Sequence, residues 1–300
     1  MLELVLTWVK VLLVFVPLAM IPLMIFLERK GAAVIQDRPG PNRSAITIPG
    51  IGRIRGFGFV HNFSDVVKLL FKEDFIPKRA HKWFYVLAPM IPVITAVLTP
   101  ALIPWFAPVA LEGGGVVNGS VLQNHASLLL LFALGAVSVY GVVLGSWGSN
   151  SKYSLLGGLR SSAMMISYEI SMGLGILGLI LVVASFAVTH GPLAIDPQPL
   201  NLEYIVAWQA EHAWGLLVQP IGFFLFLISM FAETGRTPFD VAEGESELVG
   251  GFHTEYSAIK FALFFMGEYA NIVIASALIA TLFFGGWHLP WLDTATIHAH

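Results

Sequence analysis

Long apolar stretches alternate with shorter polar ones along the chain. Six of the apolar stretches are long enough to cross a hydrocarbon core of about 30 Å as helices that rise 1.5 Å per residue. We predict membrane-spanning helices over residues 2–27, 83–104, 125–147, 161–188, 214–232 and 257–284. Prolines within the first two predict kinks, which membrane helices tolerate. The pattern predicts an all-α, multi-pass transmembrane helix bundle, with residues 1–300 forming a single membrane domain.

The composition agrees with a membrane protein. Hydrophobic residues make up 56% of the 300 and charged residues 12%, about half the charged share of a soluble domain, so a water-facing surface could not be covered. The chain has no cysteine and therefore offers no thiolate to a metal ion or an iron–sulfur cluster. The N-terminus has no basic start and no small-residue cleavage site, so we expect a retained first span.

The cations are concentrated in alternate loops, which predicts the orientation of the bundle. Of 16 Lys and Arg residues, 11 lie between positions 28 and 82, and the loops after the third and fifth predicted spans hold Lys152, Arg160 and Arg236. The loops on the other side contain none. The positive-inside rule therefore predicts that the cation-rich loops are cytoplasmic and that the N-terminus is outside.

The first cytoplasmic loop, residues 28–82, combines 11 cations with five acids and contains one amphipathic segment. In FSDVVKLLFKED, residues 63–74, apolar side chains recur at i, i+3, i+4, i+7 and i+8, with charged residues opposite. A helix of about three turns is too short to span, so we predict an interfacial amphipathic helix. Both a clamp on anionic lipid headgroups and a protein-docking surface fit this basic loop.

The acidic cytoplasmic loop, residues 233–256, holds six carboxylates and one cation, Arg236, between two apolar stretches. On a helix, Asp240, Glu243 and Glu247 would share a face. Like charges at that spacing cannot all ionise cheaply, so the cluster should hold exchangeable protons near neutral pH. Pro238, Gly244, Gly250 and Gly251 make a continuous helix improbable and favour irregular backbone around a hydrated cavity.

Two further carboxylates lie at membrane depth, Glu169 in the fourth predicted span and Glu268 in the sixth. Ionisation at the bilayer centre costs at least ~2.5–3.5 kcal/mol, so such groups serve an ion path, a proton relay or a buried partner. A carboxylate that is neutral, or bonded to Tyr168 or Tyr269, would merely lock helices together. Two such sites beside an acidic loop favour a proton path. Lys260 is about 12 Å from Glu268 along the helix axis, too far to pair with it.

Several motifs occur in order between Glu28 and about Tyr269. They are ERK…RPGPNR, KLLFKE, WGSNSKYSLLGGLRS…ISYE and, most specifically, AETGRTPFDVAEGESELVGGF…EY…FALFFMGEY. Together they resemble the membrane heel subunit of the bacterial proton-translocating NADH–quinone oxidoreductase. That subunit is the counterpart of mitochondrial complex I subunit 1 and belongs to the NADH dehydrogenase subunit 1 family.

The resemblance implies a subunit of a translocase that carries no redox centre and is not catalytic alone. Such a subunit forms much of the quinone-binding chamber and a carboxylate chain that couples quinone reduction to proton translocation. Its substrate would be ubiquinone or menaquinone, bound non-covalently, while FMN and iron–sulfur clusters lie in partner subunits. The partners implied are the peripheral-arm iron–sulfur and quinone-site subunits, small and antiporter-like membrane subunits, and the lipid bilayer of a bacterial inner membrane, with no nucleic acid.

The resemblance also implies roles for individual residues, though none as a catalytic group or metal ligand. The quinone-binding residues would be Glu28, Arg29, Arg236 and Asp240. The proton path would comprise Glu169, Glu233, Glu243, Glu245, Glu247 and Glu268. The chain departs from the family pattern at Gly235 and His253, where asparagine is typical, in a longer glycine-rich loop over residues 44–61, and in having six predicted spans where eight are expected.

Two alternative functions remain open at this point. A homologous subunit could serve a membrane-bound hydrogenase or another non-NADH dehydrogenase, although the motif EGESELVGGF favours the NADH–quinone branch of the family. A stand-alone proton or cation transporter would place its site at the midplane between inverted repeats. The sequence shows no such repeat, and its acidic loop lies at one membrane face.

Overall fold

The computed structural model describes residues 2–48, 52–110, 115–189, 198–240 and 244–288. In these ranges the helices are α1 (Leu2–Val14), α2 (Val16–Ile35), α3 (Val60–Phe71), α4 (Lys82–Leu87), α5 (Met90–Leu98), α6 (Ser127–Gly148), α7 (Lys152–Thr189), α8 (Leu202–Glu211), α9 (Gly215–Val218), α10 (Pro220–Glu233), α11 (Glu245–Leu248) and α12 (Ala258–Phe283). Short 3-10 turns occupy Gly56–Gly58, Thr99–Leu102 and Gly251–His253. The prediction of an all-α fold is confirmed.

Four short strands form two antiparallel hairpins within the described residues. Strand β1 (Ile46–Ile48) pairs with β2 (Gly52–Ile54), in the glycine-rich loop between α2 and α3. Strand β3 (Val109–Ala110) pairs with β4 (Val116–Val117), in the loop after α5.

Within the described part of the chain, four helical segments are long and apolar enough to cross a membrane. They are residues Lys82–Leu102, Ser127–Gly148, Lys152–Ser185 and Ala258–Phe283. Helices α1 and α2 make a fifth candidate, bent by 43°. The bend falls at Phe15, two residues before Pro17, and agrees with the kink predicted from the prolines.

The fifth predicted span, residues 214–232, is shorter as a helix than the sequence pattern predicts. Gln219 (φ −133°, ψ 64°) separates α9 from α10, and α10 has only 14 residues. The reason is local, because a residue before a proline is driven out of the α-helical region and Pro220 follows Gln219. The apolar run therefore does not become one continuous helix.

Three other boundaries differ from the predictions. Helix α2 continues to Ile35, so Glu28 and Arg29 lie on the helix and not at its end. Helix α7 begins nine residues before predicted position 161, which places Arg160 on a helix. The amphipathic helix α3 covers residues 60–71 instead of 63–74, because Lys72 adopts extended backbone dihedrals.

Small residues allow the spans to pack closely around the larger of two apolar clusters in the described residues. A Cβ added at Gly222 of α10 would lie 2.4 Å from the carbonyl oxygen of Gly175 in α7, and one at Gly267 of α12 would lie 2.6 Å from Pro92 of α5. Small residues at such crossings are typical of membrane helix pairs. Leucine, isoleucine and phenylalanine side chains from α7, α10 and α12 fill the core between these contacts.

Candidate functional site

Helices α2 and α12 and the turn after α10 bring four polar side chains together. Arg236 donates a hydrogen bond from Nη1 to Glu28 Oε1 at 3.1 Å, and its Nη2 lies 3.3 Å from Glu268 Oε1. The Tyr269 hydroxyl donates to Glu28 Oε2 at 2.6 Å, and the Arg236 guanidinium lies 4.6 Å from the centre of the Tyr269 ring. One guanidinium therefore serves two carboxylates. We call Glu28, Arg236, Glu268 and Tyr269 the arginine cluster.

The end of α10 positions Arg236 in this cluster. The amide of Gly235 donates to Ala232 O at 3.2 Å, and the amide of Arg236 donates to Phe231 O at 3.1 Å. This pair of bonds is the Schellman motif, which requires a left-handed residue after the helix cap. Gly235 has φ +59° and fills that position. Asparagine, the residue typical of the family there, is the other common choice for this conformation, so the departure at Gly235 preserves the turn.

Two adjoining cavities lie behind the arginine cluster. The first, of about 70 Å³, is lined by Glu233, Asp240 and Glu268, and the second, of about 60 Å³, is lined by Glu169 and Glu233. The side chains that line both are Ser138, Glu233, Thr234 and Asn271. Cavities of this size with several polar lining groups have room for ordered water. The structure thus brings four of the predicted site residues, Glu169, Glu233, Asp240 and Glu268, to two adjoining cavities that have room for water.

Glu233 is the junction between the two cavities. Its Oε2 atom is buried, and no residue in the described ranges hydrogen-bonds that atom. Burying a carboxylate oxygen without a hydrogen-bond partner costs free energy, and the adjoining cavities have room for a water molecule that would supply the hydrogen bond. Glu233 therefore links the first cavity, beside Asp240 and Glu268, to the second, beside Glu169.

The acidic loop is irregular, as its proline and glycines predict. Helix α11 is a single turn that follows Gly244 (φ +40°) and ends before Val249 (φ +69°), so Asp240 and Glu247 do not share a helix. Glu243 lies outside the described residues, and Glu245 is described only through the backbone of α11. Glu247 pairs with Arg160 of α7 at 2.6 Å, with both side chains exposed. Glu247 therefore does not line either of these two cavities; it lines a separate, open pocket with Arg160 and Tyr168.

Arg29 does not join the arginine cluster, although it directly follows Glu28. Its guanidinium pairs with Asp65 of α3. Successive residues on a helix point about 100° apart, so Glu28 faces α12 while Arg29 faces α3. The two neighbours tie α2 to different elements.

Sequence reasoning misses several of these partners. The sequence raises a bond between Tyr269 and a carboxylate at membrane depth only as the alternative to a proton path, whereas Tyr269 bonds Glu28. It correctly excludes Lys260 as a direct partner of Glu268, but the real partner, Asp74 at 2.7 Å, is 186 residues away in the chain. The sequence signal for Lys260 is a lysine at the start of an apolar span, which reveals that a partner is needed but not which one.

His253, the second departure from the family pattern, is a packed polar side chain. Its ring lies edge-on against the rings of Phe252, Phe261 and Phe265, with centroid separations of 5.0 to 5.7 Å. Burial lowers the pKa of His253 to about 4, because the charged imidazolium loses its hydration. His253 is therefore neutral near pH 7, as expected of a polar filler.

Comparison with known proteins places this geometry in a family. The family model described as NADH dehydrogenase matches residues 8–299. An NADH-quinone oxidoreductase subunit of Geobacter metallireducens is 46% identical over 281 residues, which cover 94% of this chain and 78% of the relative. NADH-quinone oxidoreductase subunit 8 of Thermus thermophilus is 44% identical over 270 residues, 90% of this chain and 67% of the relative. The chain therefore belongs to the NADH dehydrogenase family, and the relatives named above are subunits of NADH-quinone oxidoreductase.

Proposed function

We propose that this chain is the membrane heel subunit of a proton-translocating NADH–quinone oxidoreductase, respiratory complex I. In this role it forms much of the quinone-binding chamber and couples quinone reduction to proton translocation. The observation that supports this proposal most directly is that Glu268 of the arginine cluster lines the first cavity and that Glu233 lines both cavities. Relatives named for the same complex support this function over a hydrogenase subunit or a stand-alone transporter.

The chemistry explains why such a chain of acids is useful. A quinone becomes a quinol by taking two electrons and two protons, and both protons must reach a site that is otherwise dry. We assign the electrons to FMN and iron–sulfur clusters of partner subunits, since this chain has no cysteine to ligate a cluster. Its own residues then have the task of supplying protons and of responding to the change in charge.

The arginine cluster is suited to that task. Glu28 and Glu268 share one guanidinium, so protonation of either carboxylate leaves Arg236 to interact with the other. Tyr269 supports this exchange by orienting Glu28 through its hydroxyl. A change at the quinone end thereby alters the charge facing the first cavity, and Glu233, which lines both cavities, carries the response toward Glu169.

We assign Glu28, Arg236 and Asp240 to the quinone end and Glu268, Glu233 and Glu169 to the proton path. Arg29, Glu243, Glu245 and Glu247 keep the roles that the family resemblance gives them. The partners in this proposal are the peripheral-arm and antiporter-like subunits. The membrane is a bacterial inner membrane, with the N-terminus outside.

Replacement of Glu233 by glutamine in the assembled complex tests the proton path. We expect quinone-linked proton translocation to be lost, because the amide cannot exchange a proton at the junction of the cavities. NADH oxidation with an artificial acceptor should persist, since the peripheral arm is untouched. Glu211→Gln, an exposed carboxylate at the end of α8, is the matched control. Wild-type translocation in Glu233→Gln would refute the path.

A photoreactive quinone analogue tests the quinone end separately. After illumination of the purified complex, labelled peptides of this chain should include those that contain Glu28 and Arg236. Labels confined to other parts of the chain would remove these residues from the quinone site.

A further inference from the structure

An ion pair between buried Lys260 and exposed Asp74 lies outside the carboxylate path. Lys260, in the first turn of α12, is only 7% exposed. Lysine is almost never buried to this extent unless its charge is paired. Its ammonium donates to Asp74 Oδ2 at 2.7 Å and lies 5.2 Å from the centre of the Tyr85 ring, within the range of a cation–π contact. The fold therefore holds this cation in one place.

The pair joins the chain segment after α3 to the start of α12. Asp74 follows the end of α3 by three residues. Tyr85 fixes the surroundings of the pair, since it is fully buried and stacks on Tyr256 with centroids 4.3 Å apart. The Tyr85 hydroxyl also donates to the backbone oxygen of Glu255 at 2.7 Å. The exit of α3, the end of the acidic loop and the first turn of α12 thus meet at Lys260.

The other end of α3 is tied to α2. Arg29 of α2 pairs with Asp65 of α3, and the Asn62 side-chain amide donates to the backbone oxygen of Pro22 at 2.6 Å. Helix α3 packs against both α2 and α12. One ion pair at the middle of α3 and one just after its end therefore connect α3 to the same two helices that meet at the contact between Glu28 and Tyr269.

The contacts of the arginine cluster depend on the separation of α2 and α12. Arg236 lies 3.1 Å from Glu28 of α2 and 3.3 Å from Glu268 of α12, so the guanidinium attracts both carboxylates. The Tyr269 hydroxyl of α12 also bonds Glu28, at 2.6 Å. Hydrogen bonds weaken steeply with distance, so a small change in helix separation would weaken these contacts. The two ion pairs to α3 limit such a change from outside the site.

We propose that Asp74 and Lys260 are positioning residues that, together with the Arg29–Asp65 pair, make α3 a strap between α2 and α12. The strap holds these helices at the separation at which Tyr269 and Arg236 both reach Glu28. Its consequence for quinone turnover rests on the proposed function, whereas the strap itself does not.

Hydrogen exchange on the assembled complex tests the strap without any activity measurement. Lys260→Met keeps most of the apolar stem and removes the charge, and Asp74→Asn keeps the shape and removes the charge. In both variants we expect amide exchange in α3 to accelerate about tenfold, because one end of a part-exposed helix is released. Lys260→Arg should restore the protection. Glu73→Gln, the exposed neighbour of Asp74, is the matched control. Unchanged exchange of α3 in both charge-removal variants would overturn the proposal.

Non-additivity tests whether the strap acts on the arginine cluster. If Lys260→Met already loosens the contact between Glu28 and Tyr269, then Tyr269→Phe should lower quinone-linked turnover less in that background than in the wild-type complex. If the effects of Lys260→Met and Tyr269→Phe on turnover are additive, the pair between Lys260 and Asp74 has only a structural role, and the positioning role is overturned. If Tyr269→Phe and Glu233→Gln alone leave turnover and translocation unchanged, the proposed function fails instead, and exchange in α3 still decides the strap.

Discussion

The hydroxyl of Tyr269 offers the cleanest single-atom perturbation of the arginine cluster. Tyr269→Phe removes the donor that lies 2.6 Å from Glu28 Oε2 and leaves the ring beneath Arg236. The distance is that of a charge-assisted O–H···O⁻ bond, for which losses of about 1.5–3 kcal/mol are typical. The Glu28 side chain is half exposed, so water replaces part of the lost bond. We therefore expect a loss of about 1–2 kcal/mol, a factor of about 5–30 in an equilibrium or rate constant.

The assay is quinone-linked NADH oxidation and proton translocation by the complex in proteoliposomes. We expect kcat/KM for quinone to fall within that factor, with artificial-acceptor activity retained. Tyr140→Phe, on the exposed face of α6, is the matched control for loss of a tyrosine hydroxyl. Glu28→Gln completes a double-mutant cycle with Tyr269→Phe, and a coupling energy of about 1–2 kcal/mol is expected for two groups in direct contact.

Two results would refute this reasoning. If Tyr269→Phe stays within about twofold of the wild type, as the control should, the hydrogen bond does not contribute to turnover. If the cycle gives additive effects, Tyr269 acts independently of Glu28 and the arginine cluster is not a functional unit.

Three further predictions concern the surroundings of the site. Gly157→Ala should destabilise the complex by about 1–3 kcal/mol, because the added Cβ would lie 2.5 Å from the backbone of Gly251. Gly173→Ala, whose Cβ would meet nothing within 4 Å, should be tolerated, and rates of thermal inactivation compare the two variants. The pKa of His253 is about 4 in the folded protein and about 6.5 in the unfolded chain, so the free energy of unfolding should fall as the pH drops below 6.5, by about 2 kcal/mol at pH 5. His253→Asn should remove this pH dependence, as thermal melts at pH 5 and 7.5 would show. Glu247→Gln should impair proton translocation but not artificial-acceptor activity, while Arg160→Met should change thermal stability by less than about 1 kcal/mol because the ion pair is exposed.

The features that follow from local sequence are predictable. Helices α6 and α12 lie close to their predicted bounds, because a long apolar run without an internal proline has few alternatives in a membrane. The irregular acidic loop follows from its proline and glycines. The predicted span over residues 214–232 misses the interruption before α10, although its cause is local, since Pro220 restricts the residue before it.

The pairings are not predictable, because periodicity describes one helix at a time. Arg236 meets Glu28 across 208 positions of sequence, and Tyr269 meets the same carboxylate across 241. Nothing in the spacing of charges on α12 indicates that α2 supplies the partner. A shared motif does not predict shared surroundings either. Glu247 belongs to the same acidic motif as the carboxylates of the predicted proton path, but its ion-pair partner is Arg160 on the surface of α7.

The shortness of α10 has an electrical consequence. Its 14 residues measure about 21 Å along the axis, roughly 9 Å less than a typical hydrocarbon core. Irregular backbone at such depth is tolerated where it lines a water-filled space, and residues 234–235 line the first cavity. We expect that water in this cavity would make the insulating layer thinner at this point. A proton that enters this cavity from the side of Arg236 has already traversed part of the voltage drop, so its remaining passage would involve less than the ~2.3 kcal/mol that 100 mV imposes on a full crossing.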